Sequence, residues 1–165
     1  MGRSEDLERI ALQENELALP HLDAETAWIL GSKLRALAAE RKLPVVIDIR
    51  RFSQPLFYAA MEGTTPDNVE WVRRKSNVVA RFHRSSYAVG LHEQQKGQTI
   101  YESQGLSLVD YATHGGSFPL SVAGAGVVGS VTVSGLPMRL DHELVIEALC
   151  AVLGRDYETL KLSPE

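Results

Sequence analysis

The chain has 165 residues, which fits a single domain with a sizeable core, and its formal net charge of −4 argues against a general nucleic-acid surface. No segment has the length and continuity of a transmembrane helix, and the charged N-terminus lacks the apolar core of a secretory signal. Cys150 is the lone cysteine, so an internal disulfide is excluded. These features predict a cytoplasmic protein that binds neither nucleic acid nor membranes.

The first part of the chain is predicted to hold two helices. Residues 4–13 fit a short helix, and we expect residues 1–13 to form a loosely attached N-terminal element. A short strand is expected at residues 16–19. Asp23 is a good N-cap for a second helix over residues 24–41, because its carboxylate can accept hydrogen bonds from the first free amides. The apolar residues of that segment recur at helical spacing.

A β-hairpin and a third helix are predicted next. Residues 44–49 are rich in β-branched side chains and predict a strand, with residues 56–61 as its hairpin partner. Thr65 is a good cap for a helix over residues 66–84, which begins with a proline that suits the first helical position. The segment 85–93 is compatible with either a helix end or a strand.

The last third of the chain is predicted to contain a strand and two helices besides its glycine-rich segment. Residues 99–102 fit a strand, and residues 107–113 fit a short helix with Gly115 as a left-handed C-cap. The final helix is expected from about residue 140 to residue 154, with Asp141 as its N-cap. It is apolar almost all round, which predicts burial on more than one side.

Residues 124–129 spell G-x-G-x-x-G, which is either a dinucleotide-binding loop or a turn between strands. A dinucleotide loop opens a helix, whose N-terminus holds the pyrophosphate. Here Val131 and Val133 alternate with hydroxyl side chains, a period of two that predicts a half-buried strand. We therefore predict a corner between two strands that binds no nucleotide.

Three stretches together resemble a known family. They are WVRRKSNVVARFHRSSY at residues 71–87, HGGSFPL at residues 114–120 and GVVGSVTVSGLPMRLDH at residues 126–142. The chain resembles the GlcG/HbpS-like family, a family of haem-degrading-domain-like proteins, and within it the branch of uncharacterised cytosolic proteins. The resemblance implies a profilin-like α/β (α+β) fold, in which helices flank one antiparallel sheet in a single domain over residues 1–165. It also implies homo-oligomers.

The resemblance further implies a link to haem. Some relatives bind or degrade haem, and others bind it through a domain fused to a cobalamin-related enzyme. Haem-binding relatives often place a histidine on or near the first long helix. Here the helix predicted over residues 24–41 contains no histidine, and His21 lies just before it. Direct transfer of haem ligation to that helix is therefore not supported.

Two other histidines are candidate ligands of haem iron. His114 precedes Gly115 and Gly116, whose backbone can approach a ligand closely, and a neutral imidazole can ligate iron or move a proton. The alternative is a histidine that caps a helix or bonds to a neighbouring loop. His142 follows Asp141 at the start of the last helix, where it is either part of a site or an exposed first-turn residue.

A basic helix face is the candidate anion site. Arg74, Asn77, Arg81 and Arg84 recur on one face, and Ser86 follows directly. Guanidinium groups match carboxylate and phosphate geometry, so this face is a candidate for haem propionates or another small anion. The alternative is a solvated or salt-bridged face, or a subunit contact.

Two hypotheses for function follow. In the first, the protein binds a small ligand, with a porphyrin enclosed in an apolar cleft, His114 or His142 on the iron, and Arg74 or Arg81 on the propionates. In the second, it is a non-enzymatic oligomeric scaffold or adaptor. We expect a homo-oligomer in both, because one side of the apolar last helix needs a cover. No motif for zinc binding or nucleophilic catalysis is present, so catalytic residues stay unassigned.

Overall fold

The computed structural model describes residues 2–165. The helices of this range are α1 (Gly2–Glu16), α2 (Ala24–Arg41), α3 (Pro66–Phe82), α4 (Ser86–Gln95), α5 (Ile100–Gln104), α6 (Met138–Leu153) and α7 (Tyr157–Leu160). The strands are β1 (Val46–Arg51), β2 (Gln54–Ala60), β3 (Ser117–Val122) and β4 (Gly126–Ser134). None of the helices in the described range combines the length and apolarity that a membrane span requires.

The four strands form one antiparallel sheet in the order β2-β1-β4-β3. β1 and β2 form the predicted hairpin, in which Val46 lies opposite Ala60 and Arg51 lies opposite Gln54. β4 is central and pairs with β1 on one side and with β3 on the other. The predicted class, one domain with an antiparallel sheet flanked by helices, is confirmed.

The helix starts follow from local chemistry, as predicted. The Asp23 carboxylate accepts a hydrogen bond from the Thr26 amide at 2.8 Å, so Asp23 caps α2. At the start of α3, the Asn68 side chain accepts from the Thr65 amide at 2.9 Å. α3 ends two residues earlier than predicted because His83 adopts the left-handed conformation, with φ 55°.

The main hydrophobic core lies between the sheet and two helices, α2 and α6. The inward side chains of the central strands, including Ile47 and Val131, are fully buried in one cluster with α2 and α6. α2 packs closely because it carries Gly31 where a Cβ would lie 2.3 Å from the Phe57 ring. This helix–sheet layer gives α6 most of its cover.

The opposite face of the sheet is polar and covered by α3. Ser130, Thr132 and Ser134 of β4 are 3%, 0% and 4% exposed. The prediction that β4 is only half-buried is therefore wrong, because α3 covers the hydroxyl side. Some of the buried hydroxyls in this polar layer bind each other, since those of Ser117 and Thr132 are hydrogen-bonded at 2.9 Å.

The glycine segment is the predicted corner between two strands. β3 ends at Val122 and β4 begins at Gly126, so the glycines open a strand and no helix. Gly124 and Gly126 adopt positive φ values of 81° and 82°, which a tight turn requires. Gly129 serves a different purpose, because a Cβ there would lie 2.2 Å from the Arg50 carbonyl oxygen.

Three short predicted elements are wrong. Residues 16–19 do not form a strand, and Leu19 makes only an isolated β-bridge to Val122. Residues 99–102 belong to α5, because the Thr99 hydroxyl accepts from the Glu102 amide and caps a helix. Residues 107–113 form a turn and extended chain, because α3 side chains bind the carbonyls that a helix would use internally.

The N-terminal helix is anchored to the rest of the chain, contrary to the expectation of a loosely attached segment. Ile10 is fully buried in a second small core with α4 and the C-terminal segment. Gln13 donates to the Leu160 carbonyl at 2.8 Å. Asp6 pairs with Arg139 of α6 at 3.0 Å.

The last helix is covered mainly from within. α6 contacts α2, α7 and β4, and its apolar side chains from Leu144 to Cys150 are buried. Leu140 is 53% exposed at its start, and Ala151 is exposed near its end. The argument for oligomerisation from an uncovered α6 is therefore wrong, because the same chain provides the cover.

We predict that Gly129→Ala lowers the free energy of unfolding by about 3 kcal/mol, the upper end for overpacking, because the obstructing atom is a backbone carbonyl that cannot rotate away. Gly124→Ala is the matched control, with open space around its Cβ and only the cost of a positive φ, about 1 kcal/mol. Urea unfolding of both variants measures the difference. A loss for Gly129→Ala no larger than that for Gly124→Ala would show that the close approach is not a constraint.

Candidate functional site

A cleft of about 230 Å³ lies where the N-terminal ends of α3 and α6 meet the loop before β3. We call it the His114 cleft. Its lining residues are Asp67, Asn68, Trp71, Lys75, His114, Gly115, Ser134, Gly135, Leu136, Met138 and Asp141. Of the candidate site residues from the sequence, the cleft brings together His114 and Gly115. Trp71 of α3 forms one wall.

His114 stands at the mouth of the cleft with its side chain partly in solvent. Its ring lies 4.9 Å from the Trp71 ring in an edge-to-face arrangement. Burial, with Lys75 and Arg74 nearby, holds the pKa of His114 below its usual value. The imidazole is therefore neutral at neutral pH and keeps a free nitrogen lone pair, as an iron ligand must.

Ser86 acts on the backbone that carries His114. Its buried hydroxyl donates to the His114 carbonyl at 2.7 Å and accepts from the Ser117 amide at 3.2 Å. The two bonds fix both ends of the loop 114–117 to the first turn of α4. Ser86, a sequence candidate for ligand binding, is thus engaged in positioning this loop.

Lys75 forms the floor of the cleft and was missed by the sequence analysis. It is 2% exposed, and its Nζ donates to the carbonyls of Val133 and Gly115 at 2.7 and 3.0 Å. A third bond reaches the Asp141 carboxylate at 3.3 Å. Burial lowers the pKa of Lys75, and the neighbouring Asp141 opposes that change. The available signal was the helical spacing, which puts Lys75 on the same face as Val72 and Val79.

Asp141 is not the N-cap of α6, because the helix begins at Met138 with Pro137 as its cap. The Asp141 carboxylate instead accepts from the amides of Leu136 and Gly135 at 2.9 and 3.3 Å. Burial raises the pKa of Asp141 to about 6, although Lys75 and these amides act in the opposite direction. The carboxylate thus joins the start of α6 to the floor of the cleft.

The two glycines after His114 are required by packing. A Cβ on Gly115 would lie 2.4 Å from the Met138 carbonyl oxygen. A Cβ on Gly116 would lie 2.3 Å from the Val133 carbonyl oxygen and 2.5 Å from Lys75 Nζ. The predicted left-handed C-cap at Gly115 is wrong, and Gly116 is the residue with positive φ, at 133°. The loop therefore lies directly against α6 and β4.

His142 lies in the core and not in the cleft. It is fully buried, with its ring packed edge-on against Tyr87 and Phe118. Its Nε2 is hydrogen-bonded to Gln13 Oε1 at 2.8 Å, and its Nδ1 has no partner among the described residues. Burial lowers the pKa of His142 to about 3. The hypothesis that His142 ligates iron at an open site is wrong in this structure, because the protein encloses the ring completely.

The basic face of α3 binds a loop of the same chain. Arg74 Nε donates to the Leu108 carbonyl at 3.0 Å, and its guanidinium lies 4.6 Å from the centre of the Trp71 ring. Asn77 donates to the Asp110 carbonyl at 2.8 Å. Arg81 is exposed and lies beside the ring of Phe82 at 5.9 Å. Arg74 and Asn77 therefore hold backbone carbonyls of the same chain, and neither Arg74 nor Arg81 lines the His114 cleft.

Comparisons with known proteins agree with this fold. The family model for haem-degrading HbpS-like proteins matches residues 22–150. A UPF0303 protein of Burkholderia thailandensis is 63% identical over 158 residues, which cover 96% of each chain. The solved structure of the Ybr137w protein is 28% identical, with a TM-score of 0.82, 90% coverage of this chain and 88% coverage of that chain. The solved structure of a PduOC–haem complex is 18% identical, with a TM-score of 0.68, 79% coverage of this chain and 94% coverage of that chain.

We predict that His142→Phe makes stability less sensitive to acid. The folded-state pKa of His142, about 3, is below the ordinary 6.5, so the unfolded chain takes up a proton first and stability falls as pH falls from about 6.5 to about 3. The unfolding free energy of the wild-type protein falls with decreasing pH between about pH 5.5 and about pH 4. In His142→Phe, this fall should be smaller by about 1.4 kcal/mol per pH unit.

Urea unfolding at several pH values measures this slope. The matched control is His21→Phe, which replaces a histidine whose side chain is 65% exposed and should leave the slope unchanged. An unchanged slope in His142→Phe would mean that the buried ring does not resist protonation.

Proposed function

The chain belongs to the family of haem-degrading HbpS-like proteins, and from that premise we propose that it binds haem at the mouth of the His114 cleft. The observation that carries the proposal is the neutral, partly exposed imidazole of His114, held beside the flat apolar wall of Trp71. An imidazole in this state is a ligand for haem iron, and an aromatic wall suits a porphyrin face. The relationship to the PduOC protein, whose structure is a haem complex, supports the same ligand class.

The cleft is too small to enclose a porphyrin, so we place the haem at its mouth and not in its interior. A volume of about 230 Å³ is below the roughly 300–1,000 Å³ of pockets that enclose drug-sized ligands. Arg74 is held by the Leu108 carbonyl and Arg81 lies outside the lining, so neither is placed to bind a propionate there. The sequence hypothesis of an enclosed porphyrin with arginine-bound propionates is therefore not retained. We retain His114 as the residue that would hold the haem iron.

The protein's own contribution is to hold the imidazole still and neutral. Ser86 binds the His114 carbonyl, and Lys75 binds the next carbonyl, that of Gly115. The nearby positive charges of Lys75 and Arg74 disfavour a proton on the ring, so the lone pair stays free for a metal. Any redox chemistry would come from the cofactor.

We expect a saturable shift of the haem absorption band at one haem per chain in a titration of the purified protein. His114→Ala should weaken binding by about tenfold or more, since loss of support for a metal ligand alone costs 10–100-fold. The matched control is His83→Ala, a histidine at the far end of α3 that should leave binding unchanged. Absence of saturation rejects haem as the ligand, and saturation indifferent to His114→Ala rejects the assigned residue.

The second candidate function is an oligomeric scaffold, and an apolar surface patch favours it. Trp28 and Ile29 of α2 are 62% and 47% exposed, and Tyr58 of β2 is 48% exposed. The Trp28 ring contacts the Phe57 ring at 5.7 Å between centroids, so the helix and the edge strand form one surface. β2 carries no charged side chain, although natural edge strands are commonly protected by charges. A second copy of the chain is the partner that we propose for this patch.

Trp28→Glu should convert an oligomer to a species near 18.2 kDa, because a buried unpaired carboxylate opposes association. Leu140→Glu, which changes an exposed apolar side chain at the start of α6 and outside this patch, is the control and should keep the assembly. Light scattering at low micromolar concentration measures both. A wild-type mass of one chain, or an assembly insensitive to Trp28→Glu, contradicts the proposed interface.

A further inference from the structure

A second polar pocket lies at the opposite end of the interface between α3 and the sheet. It has a volume of about 200 Å³ and opens between the β1–β2 hairpin and the C-terminal half of α3. We call it the Arg50 pocket. Its lining residues are Arg50, Phe52, Ser53, Ser76, Asn77, Ala80 and Ser130. It shares no lining residue with the His114 cleft.

Arg50 presents one half of its guanidinium to this pocket. Its Nε and Nη2 donate to the two carboxylate oxygens of Asp48 at 2.7 and 2.8 Å. Asp48 is 1% exposed, so this pairing fixes the plane of the guanidinium. The other edge of the fork, with Nη1, has no acceptor in residues 2–165. A second carboxylate or phosphate matches this edge, since the guanidinium can bind two such groups side by side.

Two hydroxyl groups supply further donors. Ser130 of β4 lies directly opposite Arg50 of β1 in the sheet ladder and is 3% exposed. Ser53 lies in the hairpin turn and also lines the pocket. Ser76 and Asn77 donate elsewhere, to the carbonyls of Arg73 and Asp110, and therefore shape the wall. The pocket thus combines a directed guanidinium edge with two hydroxyls.

The wall between the hairpin and α3 is held in place by two aromatic rings. Phe52 and His83 stack with 5.9 Å between ring centroids and 22° between ring planes. Both residues adopt the left-handed conformation, with φ values of 51° and 55°. That conformation is costly for a bulky side chain such as phenylalanine, so the surrounding contacts must hold it. The stack joins the hairpin turn to the end of α3 beside the pocket.

We propose that the Arg50 pocket binds a small oxyanion, a carboxylate or a phosphate group. The free guanidinium edge of Arg50 binds two of its oxygens, and the hydroxyls of Ser130 and Ser53 bind the remaining ones. The volume of about 200 Å³ limits the ligand to a small molecule, below the size of a drug-like compound. This site is independent of haem binding at His114.

The test is a titration of ¹⁵N-labelled protein with inorganic phosphate and, separately, with acetate, at ionic strength held constant with sodium chloride. Saturable amide shifts of Phe52, Ser53 and Ser130 with either anion support the proposal, and the more tightly bound anion identifies the class. Arg50→Lys should weaken binding about tenfold or more, because lysine can still pair with Asp48 but lacks the fork.

Arg51→Lys is the matched control, since Arg51 donates to the Leu22 carbonyl at 2.9 Å and does not line the pocket. Ser130→Ala keeps the test informative if Arg50→Lys fails to fold, and it should weaken binding severalfold. His114→Ala should leave anion binding unchanged, which separates this site from the haem proposal. No saturable shift with either anion, or equal losses in Arg50→Lys and Arg51→Lys, overturns the proposal.

Discussion

One buried ammonium group, Lys75 Nζ, joins the parts of the molecule that form the site. It reaches from α3 to the Gly115 carbonyl before β3, the Val133 carbonyl of β4 and the Asp141 carboxylate of α6. A buried charge is costly unless it is paired and hydrogen-bonded, and here three acceptors surround it. Removal of one partner of a buried pair leaves an uncompensated charge, which typically costs about 3–5 kcal/mol. The geometry of the cleft therefore depends on this contact.

The position of His114 follows from the same contact. Lys75 holds the Gly115 carbonyl, and Ser86 holds the His114 carbonyl, so two adjacent peptide groups are fixed from two different helices. Gly116 then passes so close to Val133 that no side chain fits. The histidine is presented by a rigid loop, which lowers the entropy lost when a ligand binds.

The polar interface under α3 explains why the pockets lie where they do. An apolar interface would be packed without voids, whereas hydroxyls, an ion pair and a lysine leave space at both ends of the helix. Ser134 lines the His114 cleft and Ser130 lines the Arg50 pocket, two ends of one row of side chains on β4. The other face of the sheet carries the aliphatic core that packs against α2 and α6.

The sequence predicts best those elements that depend on local chemistry. The cap at Asp23, the start of α3 at Thr65 and the glycine corner each follow from residues close together in the chain, and the structure confirms them. The sequence fails where a distant partner decides. The carbonyls of Leu108 and Asp110 are bound by α3, so that segment cannot form its own helix.

In the candidate site, too, the sequence predicts residues that belong to a local motif and fails for residues whose partners are distant in the chain. His114 and Gly115 were found because their motif is local, and the family resemblance pointed to the same stretch. Lys75 was missed because a charged side chain among basic neighbours suggests a solvated face, and only the distant Asp141 and two carbonyls show its burial. His142 was misplaced because its cover comes from α1 and α4, far away in sequence.

The most direct test of this account is a double-mutant cycle on Lys75 and Asp141, measured as free energies of unfolding at neutral pH. Lys75→Met alone should cost about 3–5 kcal/mol, because it leaves the Asp141 carboxylate buried without its cation. Asp141→Asn in the Lys75→Met background should recover part of that loss, so that the two changes couple by about 1 kcal/mol or more. Additive effects within about 0.5 kcal/mol, or a small loss for Lys75→Met, would contradict the central place given to this contact.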